Sequence, residues 1–213
     1  MMADSTPDEM LFFGLELVYV SNPGRLTKST RDRNVPRFKT FYGATPEVHH
    51  ELWNDLQNTD NLDALVLPED LNMTSFFVAL HFLKCYPLED EREALFDVSP
   101  KSGRGKVWFF VEKIRNLRAD KIVWPYEIFE DEEWVMTVDG THCEFQEPSH
   151  PEFSIDTGYF SHKHGQAGLA YEIGISLFDS KVVWLNGPFR AGMNDKSIFT
   201  EDGGLNSFIF AMT

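Results

Sequence analysis

Cysteine is scarce, and basic residues are outnumbered. The 213-residue chain has two thiols, Cys85 and Cys143, which make no disulfide framework and lack the paired spacing of a zinc site. Two isolated thiols fit a reducing, intracellular compartment. Lys and Arg total 19 against 34 Asp and Glu, a formal net charge of -15. Spread evenly, that charge would be repelled by nucleic-acid phosphates. Long apolar runs are also missing. Leu11 to Val20 is interrupted by Glu16 and follows an acidic leader, so it is no signal peptide, and no run reaches the roughly 20 apolar residues of a membrane span. No segment has the form of a phosphate-cradling glycine loop or a serine nucleophile elbow. Gly187-Pro188 and Gly203-Gly204 read as turns.

The charge is not spread evenly. Six basic residues (Arg25, Lys28, Arg31, Arg33, Arg37 and Lys39) stand against Asp32 alone, and seven between Lys101 and Lys121 stand against Glu112 and Asp120. From position 122 to 161 there is no Lys or Arg, and ten acids fall between Glu127 and Asp156. The basic islands suit either solvated faces or contacts to a polyanion. With apolar residues at 42% and aromatics at 14%, there is ample material for a folded core.

Residues 1–36 read as a disordered leader and a flexible basic arm; within them, Leu11 to Val20 suits a short strand or a helix. A helical region is expected over 37–124. Thr45 and Pro46 open a helix with Val48, Leu52 and Leu56 as its stripe. A second helix runs over Leu71 to Tyr86, capped by Thr74 or Ser75 and burying Phe76, Phe77, Leu80 and Leu83 until Pro87 ends it. A short helix over Glu89 to Phe96 is followed by a turn holding Gly103 and Gly105. A longer helix then carries Val107, Phe110, Val111, Ile114 and Leu117. Short helix, turn and longer helix is a helix-turn-helix layout, with Lys101, Arg104 and Lys106 at the end that would approach a DNA groove; a plain helical bundle with a charged rim has the same pattern. After an acidic linker, Glu127 to Glu133, the periodicity becomes strand-like over Trp134 to Phe145, Ala170 to Phe178 and Lys181 to Asn186. Asp179-Ser180 turns the hairpin, Gly187-Pro188 ends the sheet segment, and Asn194 caps a helix.

The sharpest chemical signal is Thr137 to His142, with Asp139-Gly140 at the end of an apolar strand. A carboxylate so placed can ligate a hard cation, although Asp-Gly is also a common turn. His142, His162 and His164 read as solvated rather than zinc-binding, and His49-His50 as exposed. Several segments together resemble Harbinger-type transposases: Val138 to Pro148, Tyr159 to His164, Leu169 to Gly174, Trp184 to Pro188 and Asn194-Asp195 resemble their DDE nuclease domain. Phe38 to Gly43, Leu80 to Tyr86 and Val107 to Val111 resemble their N-terminal region. The likeness covers about residues 37 to 205.

This resemblance implies an α+β chain, with a helix-turn-helix-like DNA-binding region over 37–124 and an incomplete RNase-H-like domain with a mixed sheet over 130–213. It implies three acids holding Mg²⁺ or Mn²⁺ for DNA strand cleavage and transfer. Asp139 matches the first. Asp195 matches a recurring Asp after the third strand and reads as a further acid of the site or as a helix start. The family's second acid lies on a later strand and its third beyond that; neither has a counterpart, so the nuclease domain reads as cut short. DNA contacts would come from Arg31, Arg33, Arg37, Lys101, Arg104 and Lys106. A nuclear location and a Myb-like accessory protein are also implied. The alternative is a catalytically dead remnant that binds DNA or protein.

Overall fold

The computed structural model describes residues 6–19, 30–58, 72–124, 134–145 and 157–200. The chain is α+β and divides into two compact units, Met1–Arg118 and Ala119–Thr213.

The first unit is helical. Helix α1 (Pro7–Val18) begins at a capping box in which Thr6 accepts from the Glu9 amide while the Glu9 carboxylate accepts from the Thr6 amide. Met10, Leu11 and Leu15 then become fully buried. The expected disordered leader is therefore corrected from Thr6 onward: its apolar residues return at helical spacing and bury. Part of the expected arm is also helical, because α2 (Arg31–Tyr42) starts well before position 37 and contains Pro36. Residues 20–29 of that arm lie outside the described residues.

Helix α3 (Pro46–Asn58) starts where the sequence places it, but its buried face is turned. His49, Trp53 and Leu56 are enclosed, whereas Val48 is 52% exposed. Helix α4 (Met73–Cys85) is capped by Asn72, whose side chain accepts from the Ser75 amide at 3.2 Å. Phe76, Phe77 and Leu80 are buried and Leu83 is exposed. Helix α5 (Glu89–Phe96) leads through a three-residue connection into α6 (Pro100–Asn116), so Gly103 and Gly105 lie inside the longer helix rather than in a turn. A short turn of helix, α7, covers Arg118–Lys121. The core is a set of rings, with Phe38, Phe76, Phe77 and Phe110 fully enclosed. Phe38 meets Phe77 edge to face at 5.8 Å, and Phe76 meets Phe110 at 5.7 Å.

The second unit is built on an antiparallel sheet. Strand β3 (Gln166–Ser176) is central. Strand β1 (Met136–Glu144) covers one edge, and β4 (Val182–Arg190) with the two-residue β2 (Phe160–Ser161) covers the other. Strands β3 and β4 are joined over residues 177–181, a longer connection than the two-residue Asp179-Ser180 turn expected, and the Ser176 hydroxyl accepts from the amides of Phe178 and Asp179. Strand β4 continues through Gly187-Pro188, a cis peptide, to Arg190, instead of ending there. Asn194 caps helix α8 (Asp195–Thr200), accepting from the Ser197 amide at 2.9 Å. The expected acidic linker and the chain beyond position 200 lie outside the described residues. Among the described residues, no helix is long and apolar enough to cross a membrane.

Candidate functional site

Strand pairing decides what the sheet presents. Gly140 lies opposite Glu172, and Glu172 lies opposite Asn186; one step along, Asp139 lies opposite Ile173 and Ile173 opposite Leu185. Opposed residues share a face and successive residues alternate. Gly140, Glu172 and Asn186 therefore form one row, and the Asp139 side chain belongs to the other face. The Asp139 carboxylate accepts from the Gly140 amide at 2.9 Å.

On the Glu172 face lies a cavity of about 290 Å³, lined by residues from β1, the turn between β2 and β3, β3 itself, and the start of α8. Asp139, Gly140, His142, His164, Glu172 and Asp195 are all among them. Asp195 enters from the first position of α8, and its Oδ1 lies 3.8 Å from where a Cβ on Gly140 would sit. A glycine opposite Glu172 thus leaves room for a second carboxylate above the sheet. Gly168 does similar work beside it. A Cβ there would come within 2.4 Å of the His142 ring, which lies over the strand and stacks on His164 at 4.4 Å and 9°. The His142 Nε2 is enclosed and has no hydrogen-bond partner.

Glu172 is the chemical centre of this cavity. It is only 7% exposed, and its Oε2 is enclosed with no hydrogen-bond partner. Burial raises its pKa above the ordinary carboxylate value; the charge of Asp195 raises it further, and a hydrogen bond from Asn186 opposes both. In the sequence Glu172 sits within an apolar, strand-like segment. The available signal was a lone acid inside Leu-Ala-Tyr-Glu-Ile-Gly-Ile, because a central strand rarely hides a carboxylate without a use for it. A larger open hollow, about 640 Å³, has Arg190 as its charged residue. That guanidinium rests over the Tyr159 ring at 5.4 Å.

Asp139 and Asp195, the two acids expected from the sequence, both border this cavity. Among the described residues, no three His, Cys, Asp or Glu side chains converge to hold a metal ion. The acid set implied by the resemblance therefore does not fit a metal in this arrangement.

The six proposed DNA-binding residues have different surroundings. Arg31 is paired with Asp8 at 2.8 Å and with Glu47. Arg37 is half-buried and donates to Asn34. Arg104 makes a two-pronged contact with Glu89 at 2.8 and 2.9 Å. Arg33 and Lys101 are exposed, and Lys106 is half-exposed. His49, expected on the surface, is 2% exposed, with its ring nitrogens 2.8 and 3.0 Å from the carbonyls of Thr45 and Tyr42.

Comparison with protein-family models, curated proteins and solved structures finds no match.

Proposed function

We propose that this protein derives from a Harbinger-type transposase. In this reading the helical unit engages DNA, and the sheet unit is a DDE-type, RNase-H-like nuclease domain whose acids are not assembled for strand cleavage. The observation that supports it best is that Asp139 and Asp195, far apart in sequence, border the same cavity. An antiparallel set of β1, β3 and β4 is compatible with the opening of an RNase-H-like sheet. In a complete site of this class, divalent ions would activate the attacking oxygen and stabilise the leaving one. With no third acid gathered beside Asp139 and Asp195 among the described residues, no cleavage step follows from these residues.

The helical unit supports the DNA-engaging half of the reading. The order of α5, a three-residue connection and the longer α6 is compatible with a helix-turn-helix layout, and Lys101, Arg104 and Lys106 lie in the first turns of α6. Backbone phosphates are the natural partners of such side chains. A nuclear location and a Myb-like accessory protein follow from the same resemblance.

The test combines DNA binding across a salt series with a nicking assay on supercoiled plasmid in Mg²⁺ or Mn²⁺. The expected outcome is binding that weakens steeply with salt and no metal-dependent nicking. Nicking by a folded preparation that disappears in Asp139→Asn would instead establish a working nuclease. Absence of binding at low salt would remove the DNA role and leave protein binding by a transposase remnant.

A further inference from the structure

The contact between α5 and α6 encloses a charge that the fold leaves incompletely answered. Arg92 on α5 is 3% exposed, and its Nε and Nη2 have no hydrogen-bond partner. Gly103 on α6 makes room for it: a Cβ there would lie 3.3 Å from Nε. The charge is felt in the interior, because after burial it is the second cause that lowers the pKa of His81. An enclosed guanidinium calls for a carboxylate at hydrogen-bond distance. Glu89, one turn earlier on α5, has its Oε1 4.0 Å from Nη2 of Arg92. Both of its oxygens are engaged elsewhere, Oε1 by Nε of Arg104 at 2.8 Å and Oε2 by Nη2 of Arg104 at 2.9 Å. A two-pronged pair of this kind fixes the plane of the carboxylate as well as its position. The Arg104 side chain is 63% exposed, where an ion pair adds little to stability. One carboxylate therefore serves an exposed cation well and a buried cation badly, although the buried one has the greater need.

We propose that Glu89 is a shared counter-ion: when a phosphate group takes Arg104, Glu89 moves onto Arg92 and tightens α5 against α6. The exchange is small, since Oε1 has about 1 Å to travel to reach a charge-assisted hydrogen bond with Arg92. The Arg104 fork that fits a carboxylate also fits a phosphate. Lys101, exposed and one turn before Arg104 on α6, offers a second cation to the same group. Until a phosphate arrives, Glu89 screens Arg104. Displacing it is offset within the helical unit, where Arg92 gains the partner it lacks. The coupling is reciprocal, because an Arg92 that holds Glu89 leaves Arg104 open. The device uses residues of α5 and α6 alone and stands whether or not the chain derives from a transposase.

Urea unfolding of the full chain, followed by far-ultraviolet circular dichroism, tests the exchange without a ligand. Arg104→Ala frees Glu89 and is expected to raise the midpoint by about 0.5 M, although it removes an ion pair. In an Arg92→Met background the same substitution should bring no rise, because Glu89 has no cation to move onto. A Glu89→Gln background should behave likewise and carries the comparison if Arg92→Met misfolds. A second arm repeats the unfolding with sodium tripolyphosphate or a short DNA duplex, with sodium chloride matching the ionic strength. A rise in midpoint with either compound that shrinks in Arg92→Met supports the proposal. A rise with the duplex alone assigns the phosphate to nucleic acid, and a rise with tripolyphosphate assigns it to phosphate at large. The proposal is overturned if Arg104→Ala leaves or lowers the midpoint, or if it raises it equally in every background. It is also overturned if neither compound stabilises the unaltered chain more than Arg92→Met.

Discussion

The helical unit encloses Phe38, Phe76, Phe77 and Phe110 completely, with Met10, Leu11 and Leu15 against them, while the sheet unit encloses Ala167, Val183, Trp184 and Ile198 together with Ser161, Glu172 and Ser176. The first inventory is that of a unit held by its rings. The second encloses few apolar side chains; both units bury polar groups, Asn34, His49, Ser75, His81 and Arg92 in the helices and Ser161, Glu172 and Ser176 in the sheet. Burying apolar area contributes about 25 cal/mol per Å², whereas an unmatched buried polar atom costs about 1–3 kcal/mol. The contrast marks the helical unit as the one with the larger enclosed apolar core.

The largest effects should therefore come from the ring core. Phe77→Ala removes a side chain that touches the rings of Phe13, Phe38, Tyr42 and Phe76, and should cost about 3–5 kcal/mol. Denaturant unfolding followed by helical circular dichroism measures it; a loss under about 1 kcal/mol would show that the rings do not carry the unit. Next comes Gly14→Ala. A Cβ there would lie 2.7 Å from a Phe38 ring carbon and 2.9 Å from one of Phe77, and overpacking of this kind costs about 1–3 kcal/mol. The same unfolding measurement checks it, and an unchanged midpoint would mean that the helices separate easily.

Acid should divide the two units. His49 and His81 are buried, and burial lowers both pKa values below the ordinary 6.5. In the pH range just below 6.5 the unfolded chain binds their protons more readily than the folded one, so helical stability falls as pH drops below about 6.5. Glu172 behaves in the opposite sense. Its folded pKa is raised above the ordinary 4.5, so its contribution is full below 4.5 and is lost as pH rises through the folded value. Unfolding followed separately through Trp53 in the helices and Trp184 in the sheet, by single-tryptophan fluorescence, should give slopes of opposite sign between pH 4.5 and 6.5. Glu172→Gln should flatten the sheet slope and leave the helical slope alone. A sheet slope unchanged by that substitution would show that Glu172 titrates normally.

The elements were far more legible in the sequence than the faces they present. Helix α5 and the place of the turn around Asp179-Ser180 follow from local rules, since capping, periodicity and turn chemistry act within a few residues. The inward face of α3 was legible only in part: Leu56 is buried and Leu52 packs against the core, but Val48 is exposed and His49 and Trp53 are buried beside them. A histidine whose single N–H can donate to a backbone carbonyl can be enclosed, and the nearness of the Tyr42 and Thr45 carbonyls is not visible locally. Helix α1 was half legible: Leu11 to Val20 suits a strand or a helix, but its capping box at Thr6 falls in the stretch expected as an acidic leader. Asp139 and Asp195 were found by motif, but Glu172 depends on register: it becomes a site only when β1 places Gly140 opposite it.

The smallest expected effect concerns Arg104, and it tests whether the helical unit has a role beyond stability. Glu89 holds Arg104 through two hydrogen bonds and also forms a 4.0 Å ion pair with Nη2 of Arg92, whose buried Nε and Nη2 have no hydrogen-bond partner. An exposed pair of this kind adds little to folding, but it does occupy a cation that phosphate contact would need. Glu89→Gln releases Arg104 while keeping a polar side chain beside Arg92. If α6 contacts DNA, the slope of log affinity against log salt should steepen by about 0.9, one added phosphate contact. Arg104→Ala in the same background should return it to the starting value. A slope that stays put in both variants would exclude Arg104 from the DNA surface and leave Arg33 and Lys101 as the exposed basic side chains to test.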